Sequence, residues 1–214
     1  MTLDGFLPYV LPEVIGCPDP TARAAVLSAA AEFCRQTRAW SEIQDPVPLV
    51  NNVQDYDLDM PPQSYALTVI SIHIGSRKLT PVSMDQLSYS LPNWQTAIAP
   101  EPNFYNSAVE RGSVRVYPIP TEVVTPFGMA MRVAYVPLLS ATTLPDFLGQ
   151  RYLEVIASGA KARLMVVPGQ VFSNPNLGAY YQQKFDDAIV NARIEEAMDR
   201  VPGKLTVKAR TFGF

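Results

Sequence analysis

Apolar positions recur along residues 26–40 at alternating spacings of four and three: Val26, Ala30, Phe33, Thr37 and Trp40, with Leu27 and Cys34 on the flank. That period predicts an amphipathic helix with one buried face. Asp19 is placed to cap it, and Pro20 to occupy the first helical position, where a missing N–H costs nothing. The preceding turns, AAVLSAAA, carry mostly methyl groups, so a second helix can approach them closely. The pattern stops before the Pro46/Pro48 segment.

From about residue 46 to 140 the period shortens to two. LTVISIHIG (67–75) alternates Ile70, Ile72 and Ile74 against Ser71 and His73. SVRVYPI (113–119) and GMAMRVAYV (128–136) alternate likewise, the latter placing Met129, Met131, Val133 and Tyr135 on one face. Such segments, separated by turn residues, predict an antiparallel β-module, sandwich or barrel-like. Prolines 118, 120, 126 and 137 mark strand ends or edges. MDQLSYSL (84–91) reads as a short helix inside the module.

Helical spacing returns at Leu144 and runs through Leu148, Tyr152, Val155, Gly159, Ala162 and Val166 to Pro168-Gly169. Gly159 in mid-helix costs roughly 1 kcal/mol relative to Ala. Close contact with the alanine-rich first helix, through Ala30 and Ala31, is the expected compensation. Asn174-Pro175 opens a third helix, with Leu177, Tyr181, Phe185, Ala188 and Ala192 on its buried side. The expected fold is α+β: a small helical bundle with an inserted β-module and an extended C-terminal arm. Residues 1–45 hold the lead and first helix, 46–140 the module, 141–200 the other two helices and 201–214 the arm. Ala30, Phe33, Cys34, Trp40 and Gly159 are expected in the bundle core.

Composition sharpens this picture. At 214 residues, 48% hydrophobic and 17% charged, the chain can bury a large core. Its charged fraction is below the roughly 25% of ordinary soluble domains, as suits an assembly subunit. The net charge of −3 is uneven. Four of the 17 basic residues (Arg200, Lys204, Lys208, Arg210) follow the last acid, Asp199, so residues 1–199 set 13 bases against 20 acids and carry −7. An acidic body with a basic tail points to docking of that tail on another acidic surface rather than to nonspecific nucleic-acid binding. The N-terminus has no secretion-signal pattern, so Cys17 and Cys34 are expected to be reduced thiols in the cytosol. No apolar run approaches the roughly 18 residues of a membrane span.

Candidate chemistry is sparse. His73 is the only histidine, on the polar side of a strand, and no nucleophile elbow accompanies it. Cys34 lies beside Arg35, yet a mid-helix thiol on an apolar stripe behaves as a small hydrophobe. DYDLD (55–59) imitates a calcium loop but has Met60 and Ala66 where Gly and Glu are required. Asp55, Asp57 and Asp59 then share a solvated strand face, with a weak cation site as the competing reading. SGAK (158–161) matches S-x-x-K without its partner motifs. No phosphate loop or dinucleotide fingerprint occurs. No catalytic residue, cofactor or metal is expected, and the chain does not read as an enzyme. Tyr89, Trp94, Phe104 and Tyr105 offer an aromatic platform for a carbohydrate- or receptor-binding module.

The order of landmarks carries a resemblance. LPYVLPEVIGCPDPTARAAVLSAAAEFCRQTRAW, a proline-rich lead before an A-x-E-F-C helix with a terminal aromatic, resembles the opening of tailed-bacteriophage head-to-tail adaptor (connector) proteins. LPDFLGQRYLEVIASGAKARLMVVPGQVFSNPNLGAYYQQKF resembles their second and third helices. The resemblance spans nearly the whole chain. It implies a virion structural protein at the neck, assembled in the host cytoplasm as a ring, typically dodecameric. Such a ring sits between the portal protein and the tail nozzle or other tail proteins, and DNA passes through it without sequence-specific binding. Lys204, Lys208, Arg210, Phe212 and Phe214 become portal-contact candidates. A head-completion protein of a long-tailed phage is the neighbouring alternative.

Overall fold

A computed structural model describes residues 1–90 and 93–198. Short helical turns open the chain, among them α1 (Leu7–Val10), and lead to the long helix α2 (Asp19–Thr37). The strands follow: β1 (Ser41–Ile43), β2 (Val47–Leu49), β3 (Asp55–Asp57), β4 (Ser64–Ile74), β5 (Arg77–Lys78) and β6 (Thr80–Pro81). After α3 (Met84–Ser90) come β7 (Ile98–Ala99), β8 (Phe104–Ala108), β9 (Ser113–Tyr117), β10 (Ile119–Pro120) and β11 (Val124–Pro137). The described chain ends in α4 (Asp146–Arg151), α5 (Leu153–Met165) and α6 (Pro175–Ala197).

The class is α+β. The main sheet has the order β1-β11-β4-β5, with β2 also paired to β11, and all its pairings are antiparallel. A second sheet runs β3-β9-β8-β6, and β7 pairs with β10. Two of these pairings, β6 with β8 and β7 with β10, are parallel, so the β-region is mixed where alternation alone predicted antiparallel strands. No sheet closes into a barrel.

Helices and sheet share one core. Met129, Met131 and Val133 of β11 face inward, as their alternation requires, but Ala134 and Val136 are buried as well. The second half of β11 is thus covered on both faces, because α2 packs against it. Gly128 lies within β11, at the irregularity in its pairing with β2. Its φ is +41°, and a Cβ there would come within 2.2 Å of the Val47 carbonyl oxygen. Only glycine lets β2 and β11 approach so closely.

Several sequence expectations shift in the folded chain, beginning with the cap of α2, which is Pro18, while Asp19 is the first helical residue and makes no side-chain cap bond. Helix α2 ends at Thr37, with Arg38 in the left-handed conformation at φ 57°. Thr37 Oγ1 donates to the Phe33 carbonyl and accepts from Ala39 N–H, which closes the turn. Trp40 therefore does not fill the end of the bundle. It is buried at the joint between helix and sheet, its ring 5.8 Å from that of Tyr135, and β1 begins immediately after it, ahead of Pro46. The helix expected from Leu144 is broken at Tyr152 into α4 and α5. Gly159 does meet α2, but through Ala29 rather than Ala30 or Ala31. A Cβ on Gly159 would lie 3.1 Å from the Ala29 methyl and 2.8 Å from the Phe185 ring. Asn174 caps α6 as expected, accepting from Leu177 N–H. The C-terminal arm, with Lys204, Lys208, Arg210, Phe212 and Phe214, lies outside the described residues.

Candidate functional site

Ala30, Phe33 and Cys34 are fully buried in the bundle, and Phe33 stacks obliquely on Tyr152 at 4.6 Å. Burial pushes the Cys34 thiol up to about 12, far from the range of a reactive thiolate. This cysteine packs. It does not react at neutral pH.

The remaining sequence candidates separate in space. His73 is half-buried on β4, opposite Lys78 and Ala130. Asp55 and Asp57 are exposed on either side of the buried Tyr56, as period two demands. Both oxygens of Asp55 accept from the Arg115 fork at 2.6 Å, and this pairing, ahead of the opposing effect of burial, holds the carboxyl below its usual range. Among the described residues, no three His, Cys, Asp or Glu side chains converge as a metal site requires. The four aromatics do not form a platform. Tyr105 is 2% exposed and belongs to the core, and Trp94 stands edge-on to Tyr117 at 5.5 Å, whereas Tyr89 is 92% exposed.

The most organised polar cluster lies where the N-terminal lead crosses the bundle. Lys161 on α5 is almost fully buried, donates to Glu13 at 2.7 Å and places its ammonium 4.3 Å from the centre of the Tyr181 ring. The Tyr181 hydroxyl donates to the other Glu13 oxygen. Burial alone would raise the Glu13 carboxyl, but the bonds from Lys161 and Tyr181 together outweigh it and hold the group anionic. The Tyr181 phenol is pushed up to about 12, by burial and then by the adjacent carboxylate. A cavity of about 300 Å³ opens beside the cluster, lined by Tyr9, Ser158 and Lys184 among others.

The S-x-x-K pair sits at this cavity, yet its geometry is structural. Ser158 Oγ donates to the Glu154 carbonyl at 2.8 Å, and the Lys161 ammonium is engaged by Glu13. An ion-paired lysine is a cation, with no lone pair to take a proton from serine. The cluster pins the lead, α5 and α6 together.

Sequence reasoning missed a set of exposed apolar side chains. Val190 and Ile194 of α6 are 53% and 44% exposed, one turn apart and outside the buried row of Phe185, Ile189 and Ala192. Ile15 and Val171 are 76% and 92% exposed in loops at the bundle end. The signal for the first pair was present: α6 carries two apolar rows, and a helix needs only one to pack on its own core. Among the described residues, no helix is long and apolar enough to cross a membrane. No protein-family model matches the chain, and no curated protein matches it.

Proposed function

We propose that this chain is a virion structural protein, a head-to-tail adaptor of a tailed bacteriophage. Copies assemble as a ring, dodecameric by resemblance, between portal and tail and extend the DNA channel. The observation that carries the reading is the second apolar row on α6. A surface of this kind, with Val190 and Ile194 bordering a shallow depression of about 360 Å³, is what a neighbouring copy covers in a closed ring. Each Å² of apolar surface so covered contributes about 25 cal/mol. The burial of Tyr105 weighs against the carbohydrate- or receptor-binding alternative.

Light scattering of the chain alone and mixed with a portal protein from the same genome tests the reading, with negative-stain imaging of the mixture. The expected result is a monomer or weak oligomer alone and a portal-bound ring in the mixture. V190D/I194D should remain folded and fail to close the ring. A stable dimer that portal leaves unchanged overturns the proposal.

A further inference from the structure

The face of the main sheet turned away from its core is built from alternate residues of four strands. Ile43 of β1 stands opposite Arg132 of β11, which stands opposite Ser71 of β4. One step along, Ala130, His73 and Lys78 form a second row across β11, β4 and β5. The last turns of α2 and α6 rise beside these rows and complete a cleft of about 950 Å³, at the upper end of the range for ligand pockets.

The charge of this cleft opposes that of the molecule. Arg35, Arg38, Lys78, Arg132 and Arg193 line it against a single carboxylate, Glu196, on a chain whose first 199 residues carry −7. Basic residues at the end of α2 complement its helix dipole, which accounts for Arg35 and Arg38 but not for Arg193, which stands before the last turn of α6. Nor does it account for Lys78 and Arg132, which come from the sheet. Arg132 lies 3.9 Å from Glu196, and Arg35 donates to the Tyr65 hydroxyl. The side chains of Arg38, Lys78 and Arg193 have no hydrogen-bond or ion-pair partner among the described residues. Three unpaired cations around one concave surface raise the local concentration of anions there.

We propose that this cleft docks an acidic peptide segment of a partner protein, with the Arg and Lys side chains pairing its carboxylates and Ile43 and Ile70 meeting an apolar residue between them. Ile43 is 74% exposed, so the floor offers an apolar contact as well as charge. The observations favour peptide over nucleic acid. No Phe, Tyr or Trp ring lines the cleft, and His73 alone offers little of the stacking surface on which single strands rest. A duplex would extend past the cleft onto an acidic body. Nor does the chain's own C-terminus suit it, since residues 200–214 carry four basic side chains and no acid. The inference does not depend on ring assembly.

Fluorescence anisotropy with a labelled peptide repeating Glu-Asp-Leu, titrated with the full chain at low salt, tests it. Binding is expected to weaken as salt is raised and by about tenfold or more in K78E/R193E. R111E, an exposed charge reversal outside the cleft lining, should bind as wild type does. K78Q/R193Q, which adds no repulsion, should fall between the two and guards against a folding defect in the reversal variant. Peptide affinity unchanged in K78E/R193E overturns the proposal. So does tighter binding of a thymidine oligonucleotide through the same residues, or a drop in the mass of the free protein in K78E/R193E, which would make a second copy the occupant.

Discussion

The bundle and the smaller sheet are held by different physics. At the centre of the bundle, where α2, α5 and α6 meet, contacts are short and apolar, Ala29 and Phe185 closing on Gly159 and Phe33 on Tyr152, while ion pairs such as Arg163–Glu32 stay at its margin. In the smaller sheet the inward Tyr56, Tyr105, Val114 and Val116 are matched by outward polar ties. Asp55 stands opposite Arg115 across β3 and β9, and at the margin Arg77 of β5, in the main sheet, bonds Glu101 and the Pro102 carbonyl just ahead of β8. Volume therefore limits what the first region tolerates, while charge tunes the second. Side-chain deletions should separate the two regions by size of effect, and salt and pH should separate them by sign.

The largest effect is expected from Phe33→Ala. The ring is fully buried, and its loss leaves a cavity costing about 3–5 kcal/mol. Because helices and sheet share one core, urea unfolding should shift by the same amount whether it is followed through Trp40 at the joint or by circular dichroism. Two separate transitions would break the claim of a common core.

Gly128→Ala probes the seam between β2 and β11. The added methyl meets the Val47 carbonyl in a conformation that L-residues rarely adopt, and the strain is expected to cost roughly 1–3 kcal/mol. A variant as stable as wild type, measured by urea unfolding, would mean that the two strands separate freely and that the seam contributes nothing.

How much of this was legible beforehand depended on whether a pattern had one cause or two. The stripe from Val26 to Thr37 had one cause, burial of a helix face, and it led directly to Phe33 and Cys34. Trp40 extended the same spacing for another reason, since a residue buried at the joint between helix and sheet also reads as apolar. Periodicity cannot distinguish a fourth helical turn from the start of a strand. Gly159 announced close contact but not with whom, because neighbouring alanines on α2 differ only in direction. The basic cleft was invisible in the sequence. Its cations come from α2, β5, β11 and α6, so only strand register and helix ends bring them together.

Cys34→Ala should cost about 1 kcal/mol, the loss of one buried sulfur. In the native protein the thiol should label slowly at neutral pH, at the rate of opening rather than of chemistry. Its raised value carries a sign. In the unfolded chain the thiol ionises near 9.0 and in the folded protein only at about 12, so stability is full below pH 9 and falls as pH rises through that window. The alanine variant should show a shallower alkaline decline, and the decline that persists reflects Cys17 and the phenols of Tyr56, Tyr105, Tyr117, Tyr135 and Tyr181, all of which burial also raises. Rapid labelling of the folded protein would contradict the packing role.

The smallest effect belongs to the other region. Arg115 and Asp55 are 43% and 52% exposed, so solvent screens their pairing, and Asp55→Asn should cost below about 1 kcal/mol despite the two-pronged geometry. What distinguishes it is its response to conditions. Salt should shrink the difference between wild type and variant, whereas it should leave the Phe33→Ala deficit in place, because apolar burial carries no charge to screen. The pH dependence runs opposite to that of Cys34. Arg115 holds the Asp55 carboxyl below its ordinary 3.8 in the folded state, so the contribution is present above that value and is lost as pH falls through the lowered one. Urea unfolding of wild type and Asp55→Asn should therefore differ slightly at neutral pH and converge in acid. A difference that survives acid unchanged would mean that the carboxylate acts through shape, and the contrast between a region set by volume and a region set by charge would fail at its clearest pair.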